Sequence, residues 1–242
     1  MIAIKIENLT KRYNEVLAVD NLSLDIEAGK LIALLGVNGA GKTTTIKMLS
    51  CLTKPTSGNA YLFDKSINNE SLAVKSLIAV SPQESAVAPN LTSRENLKLI
   101  CGIHSFNKQK TEQKIKEVVS LLKLESVIDR RAGKLSGGWQ RRLSIAMALI
   151  SEPKILFLDE PTLGLDVIAR SDLWNTIRAL KDKVTIILTT HYMEEAESLA
   201  DKIAIMASGK LLVYDTAENI KKIANAESFE KAFISVVKGV QK

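Results

Sequence analysis

Apolar residues change their rhythm along the chain, and each rhythm predicts a different element. Ile2, Ile4 and Ile6, and later Val19, Leu22, Leu24 and Ile26, alternate with polar neighbours. That period of two belongs to strands with one dry face, so the spacing predicts an antiparallel pair. Lys11-Arg12-Tyr13-Asn14 between them reads as a turn carrying one aromatic. Leu31-Ile32-Ala33-Leu34-Leu35 is apolar without interruption, the mark of a strand buried on both faces. Thr44 to Leu49 carries no breaker and reads as a helix, until Pro55-Thr56-Ser57-Gly58 punctuates the chain. Ala60 to Phe63 reads as a further short strand, and Leu77 to Ser81 as another, stopped by Pro82 with Gln83 just beyond.

From Glu84 the period lengthens. Thr92-Ser93-Arg94-Glu95 is a capping box opening a helix through about Cys101. Ile115, Val118, Val119, Leu121 and Leu122 make the apolar stripe of the next, and Ser136-Gly137-Gly138 opens a third. Continuous apolar runs return at Ile155 to Leu158 and Val184 to Leu188, separated by a helix carrying Leu173, Trp174, Ile177 and Leu180. Two such strands joined by a helix predict a parallel sheet covered on both faces. A hairpin turning at Ser208-Gly209 follows, and the tail from about Ala217 reads as helical and lysine-rich. The expected fold class is α/β: a mostly parallel sheet, an N-terminal antiparallel β part and an inserted helical subdomain. As one domain, 1–83 and 151–216 form the core, 84–150 the helical insert and 217–242 a C-terminal extension.

Composition narrows this little. The chain has 242 residues, ordinary apolar and charged fractions, and a net charge of +6 spread along its length, which solvated lysine-rich helix faces explain as well as an anionic partner does. No apolar run nears the roughly 18 residues of a membrane span and Met1 to Thr10 lacks a signal pattern, so a soluble chain, cytosolic by default, is expected. Cys51 and Cys101 form no spaced framework and read as reduced core thiols, and His104 as incidental.

Chemistry concentrates in a few stretches. Gly36-Val37-Asn38-Gly39-Ala40-Gly41-Lys42-Thr43, with Thr44 after it, fits G-x-x-x-x-G-K-[ST] between a predicted strand and helix. Its glycines let backbone N–H groups turn inward onto anionic oxygens; Lys42 would reach the β- and γ-phosphates and Thr43 would sit on Mg²⁺. Asp159 and Glu160 close the predicted strand at Ile155, the end of an open α/β sheet where ligands bind. Asp159 is the candidate Mg²⁺ holder and Glu160 the group that polarises attacking water. His191 ends the next strand, placed to contact the γ-phosphate. Leu135-Ser136-Gly137-Gly138-Trp139-Gln140 opens a helix with free N–H groups and a hydroxyl, a second anion site. Two phosphate-gripping loops but one Mg²⁺ constellation point to a head-to-tail dimer.

In this order the landmarks resemble those of the nucleotide-binding subunit of an ATP-binding cassette (ABC) transporter, over roughly the first 215 residues. The resemblance implies an ATPase using ATP and Mg²⁺, with Tyr13 stacking on adenine and Gln83 touching Mg²⁺ and the attacking water. It implies that Gly36 to Thr44 holds phosphate and that Leu135 to Gln140 is the family signature. His191 would be the switch histidine, and Asp166 would stand in a loop crossing the dimer interface. Trp139 departs from the commonest signature, which has glutamine there. The implied partners are a separate transmembrane permease subunit and a second nucleotide-binding subunit, identical or sister, at the cytoplasmic face of the membrane. Phe229 and Phe233 of the tail and Glu95-Asn96-Leu97 resemble the efflux branch. No nucleic acid is expected; the alternative is a soluble ABC ATPase acting on DNA or ribosomes.

Overall fold

β1 (Ile2–Tyr13) and β2 (Val16–Glu27) pair antiparallel from Ile2 against Glu27 to Tyr13 against Val16. The expected turn at Lys11 is therefore shorter than its sequence suggests. Lys11, Arg12 and Tyr13 stay in the ladder, and only Asn14-Glu15 turns, with Asn14 at φ 47°, a conformation asparagine tolerates. Polar residues on the solvent face of an antiparallel sheet look like a loop when read alone. The structure, a computed structural model, describes residues 1–239; residues 240–242 of the expected extension lie outside them.

The chain continues through β3 (Leu31–Leu35), α1 (Lys42–Leu49), β4 (Ser57–Leu62), β5 (Lys65–Ser66), α2 (Ser71–Leu77) and β6 (Ile78–Ser81). The helical block follows as α3 (Ser93–Ile103), α4 (Lys108–Leu122) and α5 (Gly137–Leu149). Then come β7 (Ile155–Asp159), α6 (Val167–Arg178), β8 (Thr185–Thr190), α7 (Met193–Leu199), the hairpin β9 (Lys202–Ala207) and β10 (Lys210–Asp215), α8 (Ala217–Ile223) and α9 (Phe229–Gly239). The Thr92 box forms as expected. Its hydroxyl accepts from Glu95 N at 3.2 Å and Glu95 Oε2 accepts from Thr92 N at 2.7 Å.

Two sheets result. The antiparallel one runs β2-β1-β4-β5; the larger runs β10-β9-β3-β8-β7-β6, parallel throughout except for β10. Alternation within β3 separates two cores. Leu31, Ala33 and Leu35 join Leu156, Leu158, Ile186 and Leu188 under the helical block and α6–α9, whereas Ile32 and Leu34 join Phe157, Ile187 and Met206 against α1 and the antiparallel sheet. Both faces of the parallel sheet are thus dry, which is why its strands read as unbroken apolar runs. Among the described residues no helix is long and apolar enough to cross a membrane.

Candidate functional site

Because β3, β6, β7 and β8 are parallel, their carboxyl ends share one edge, and each delivers a candidate residue there. β3 runs into the glycine loop, β6 into Pro82-Gln83, β7 into Asp159-Glu160 and β8 into His191. A cavity of about 580 Å³ opens at this edge, lined by Asn38, Gly39, Ala40, Gly41, Lys42, Thr43 and Thr44 on one side and by Gln83, Glu160 and His191 on the other. Val16, Leu17 and Ala18 of β2 supply an apolar wall.

The glycine loop is held by backbone on both sides. A Cβ on Gly36 would lie 2.3 Å from Met206 O of β9. One on Gly41, where φ is +100°, would lie 2.5 Å from Ala18 O. Only glycine lets the loop pass so close. Gly41 also caps α1 without a side chain, so the first amides of the helix have no intrahelical or side-chain acceptor and carry its positive end into the cavity.

The polar groups converge. Lys42 Nζ donates to Gly36 O at 2.7 Å and Val37 O at 3.3 Å and stands 3.5 Å from Glu160 Oε1. The other Glu160 oxygen lies 2.8 Å from His191 Nδ1. Glu160 adopts φ 48°, left-handed and costly for a glutamate, and its N–H donates to Thr189 Oγ1 at 2.9 Å. Asp159 Oδ1 accepts from the Thr189 hydroxyl and, at 3.0 Å, from the Thr43 hydroxyl. Oxygen donors from Thr43, Asp159 and Gln83 suit a hard cation such as Mg²⁺. Among the described residues no cluster of three His, Cys, Asp or Glu stands ready for a softer metal.

Tyr13 stands at the edge of the β1–β2 hairpin. Its ring, 43% exposed at the hairpin tip with Lys11 Nζ 4.9 Å from its centroid, does not line the cavity; its cross-strand partner Val16 does. Ser136, Gly138 and Asp166 come together at a second cleft of about 340 Å³, apart from the first, which they share with Trp139 and Arg142; Gly137 starts α5 beside them. Ser136 caps α5 without engaging its hydroxyl, whereas Asp166 caps α6 by accepting from Ala169 N at 2.8 Å. The Arg142 guanidinium lies 4.9 Å over the Trp139 ring and 3.2 Å from Asp172.

Several residues at this edge are not singled out by sequence. Thr189 joins Asp159 to Glu160, and a threonine pair ending an apolar strand was its signal. Arg141 of α5, 5% exposed, donates to Pro82 O at 2.6 Å and to Gln83 O. Burial pushes its guanidinium down from the ordinary value, against nearby Asp159 and Glu195. Ser144, one turn on, bonds Ser81 at 2.9 Å. The helix that begins at the second cleft thus grips the backbone of Gln83 at the first.

The ABC transporter family profile matches residues 19–163, covering the glycine loop, the helical block and the Asp159-Glu160 pair. The chain belongs to the ABC transporter family. The daunorubicin/doxorubicin resistance ATP-binding protein DrrA of Streptomyces peucetius is 39% identical over 220 residues, 90% of this chain and 67% of that protein. The Nod factor export ATP-binding protein I of Burkholderia lata is 40% identical over 208 residues, covering 86% and 68%. Phospholipid-transporting ATPase ABCA3 of Homo sapiens is 41% identical over 212 residues, but this cassette spans only 12% of that protein's length. A cassette of an ABC transporter solved in its ADP conformation superposes with a TM-score of 0.85 at 27% identity, over 97% of this chain and 99% of that one. A dimeric post-hydrolysis cassette bound to ADP and Pi gives 0.78 at 26%, over 88% and 98%.

Proposed function

We propose that this chain is the ATP-binding and ATP-hydrolysing subunit of an ABC exporter. It works as a head-to-tail dimer beneath a separate transmembrane subunit at the cytoplasmic face of the membrane. The observation that carries the reading is the Glu160 carboxylate, held between Lys42 and His191 at the mouth of a glycine loop with free amides. Two relatives, an ATP-binding protein of Nod factor export and one of daunorubicin/doxorubicin resistance, support the export direction.

In this reading the amides of Gly39 to Thr44 and the end of α1 receive the phosphates. Incoming phosphate oxygens draw Lys42 away from Gly36 O and Glu160, so substrate itself releases one carboxylate oxygen. Glu160 then accepts the proton of a water attacking the γ-phosphorus while the bond to ADP breaks, and His191 holds the other oxygen in place. Mg²⁺ held by Thr43, Asp159 and Gln83 would neutralise charge on the β- and γ-phosphates. Tyr13 and the Val16–Ala18 wall would receive the base. Ser136, Gly137, Gly138 and Asp166, remote from this cavity within one chain, would close over the nucleotide of the second subunit.

Glu160→Gln should keep ATP binding and slow hydrolysis by roughly 10²–10⁴-fold, the usual worth of a general base. Near-normal turnover would remove Glu160 from the role. The same variant, tagged and extracted gently from membranes with ATP, should retain a multi-span membrane protein; ribosomes or DNA in its place would transfer the chain to the soluble alternative.

A further inference from the structure

Glu195 lies on α7, four residues past His191, and is 0% exposed. Its Oε1 accepts from the Thr162 hydroxyl at 2.9 Å and from the Trp174 indole N–H at 3.1 Å. Its Oε2 is the only buried side-chain oxygen or nitrogen without a hydrogen-bond partner among the described residues. Thr162 stands two residues past Glu160, and Trp174 is on α6. One carboxyl therefore ties together the loop that carries Glu160, the helix that follows this loop, and the helix that follows His191.

We infer that Glu195 is a positioning residue for hydrolysis: through Thr162 and Trp174 it fixes the Glu160 loop against α7, and so sets the 2.8 Å approach of Glu160 to His191. The inference rests on the hydrolytic roles proposed above for that pair. No basic side chain forms an ion pair with Glu195 among the described residues. Burial pushes its carboxyl above the ordinary range, Glu160 adds to the rise, and the Thr162 and Trp174 donors oppose it. The rise favours the neutral acid, in which the unpartnered Oε2 carries no bare buried charge. The neutral acid still accepts two hydrogen bonds and adds no second negative charge beside Glu160. The backbone of Glu160 cannot fix itself, being held in a left-handed conformation by its surroundings.

The test is steady-state ATP hydrolysis by the purified chain with Mg-ATP, alongside thermal unfolding. Glu195→Ala should lower kcat about 10–100-fold, the scale of a misplacement near 1 Å. KM should stay within about threefold, since the phosphate loop is untouched. Glu195→Gln keeps the Oε1 acceptor and the neutral state and should restore kcat to within about threefold of wild type. Thr162→Val should lower kcat by itself and add little to Glu195→Ala, because both break one linkage. Wild-type kcat in Glu195→Ala with only a lowered melting temperature, a Gln variant no better than Ala, or fully multiplying losses would each overturn the inference. Should the Ala variant not fold, Thr162→Val and Trp174→Phe carry the test, and unchanged kcat in both overturns it. Glu160→Gln runs in parallel. Severe loss there with an unaffected Glu195→Ala removes this inference alone, whereas normal turnover there removes the parent reading as well.

Discussion

Replacing Arg141 with Met keeps much of the side chain's apolar length and removes the two bonds that hold the Pro82 and Gln83 carbonyls. Each is a charge-assisted hydrogen bond worth about 1.5–3 kcal/mol, so the gross loss is about 3–6 kcal/mol. No carboxylate forms an ion pair with Arg141 among the described residues, and at 5% exposure the guanidinium carries a desolvation cost that Met relieves in part. A net destabilisation of about 2–4 kcal/mol follows, equivalent to a drop of roughly 4–16 °C in Tm for a chain of this size. Arg141→Lys, able to reach one carbonyl but not fork across two, should fall between. Thermal unfolding followed by circular dichroism reads this, and an ATP titration reads the function. Freed Gln83 should lower kcat while the glycine loop holds ATP affinity near wild type. A Met variant within about 0.5 kcal/mol of wild type, the usual limit for substitutions that break no named feature, or a Lys variant equal to Arg, would refute the reasoning.

Other expectations follow from the same contacts. Gly36→Ala, with its Cβ 2.3 Å from a main-chain oxygen of β9, should cost about 1–3 kcal/mol and abolish tight ATP binding; normal affinity would show that β9 yields freely. Tyr13→Ala should weaken ATP binding about 2–10-fold if the ring reaches the base, from the roughly 0.5–1.5 kcal/mol of an aromatic contact; unchanged affinity assigns the base to the Val16–Ala18 wall alone. Glu195 has a raised folded-state value, so the folded chain holds its proton more tightly than the unfolded one. Its contribution is complete below the ordinary 4.5 and is lost as pH rises through the folded value. Urea unfolding midpoints measured from pH 4.5 upward should therefore decline less in Glu195→Gln than in wild type, and parallel curves would contradict the assignment.

What sequence reveals here is what is local in the chain. The glycine loop is legible because its spacing encodes a backbone shape, and the Thr92 box because its two partners lie three residues apart. The parallel sheet is legible because dry faces demand unbroken apolar runs. The hairpin tip misleads because Lys11, Arg12 and Tyr13 look like loop residues although the ladder holds their backbone. α2 is missed because it buries only Val74 and merges into the run that forms β6. Arg141 and Glu195 are illegible for a different reason. A buried charged residue has the same letter as a solvated one, and its partners, 59 and 33 residues away at the furthest, are chosen by the fold. The separation of the Ser136 cleft from the glycine loop is likewise a property of three dimensions, since both stretches look like anion sites in one.

The strand order has a consequence for how the chain comes into being. β3, which feeds the glycine loop, lies between β8 and β9 and pairs with nothing earlier in the sequence. Its neighbours are synthesised some 150 residues later, a delay of about 8–30 s at ordinary translation rates. For that interval a fully apolar strand waits with both edges open, the arrangement most prone to wrong pairing. A growing chain truncated before β8 thus has a complete nucleotide loop in letters but no neighbouring strand to hold β3, and binding competence should arrive abruptly as β8 and β9 emerge from the ribosome.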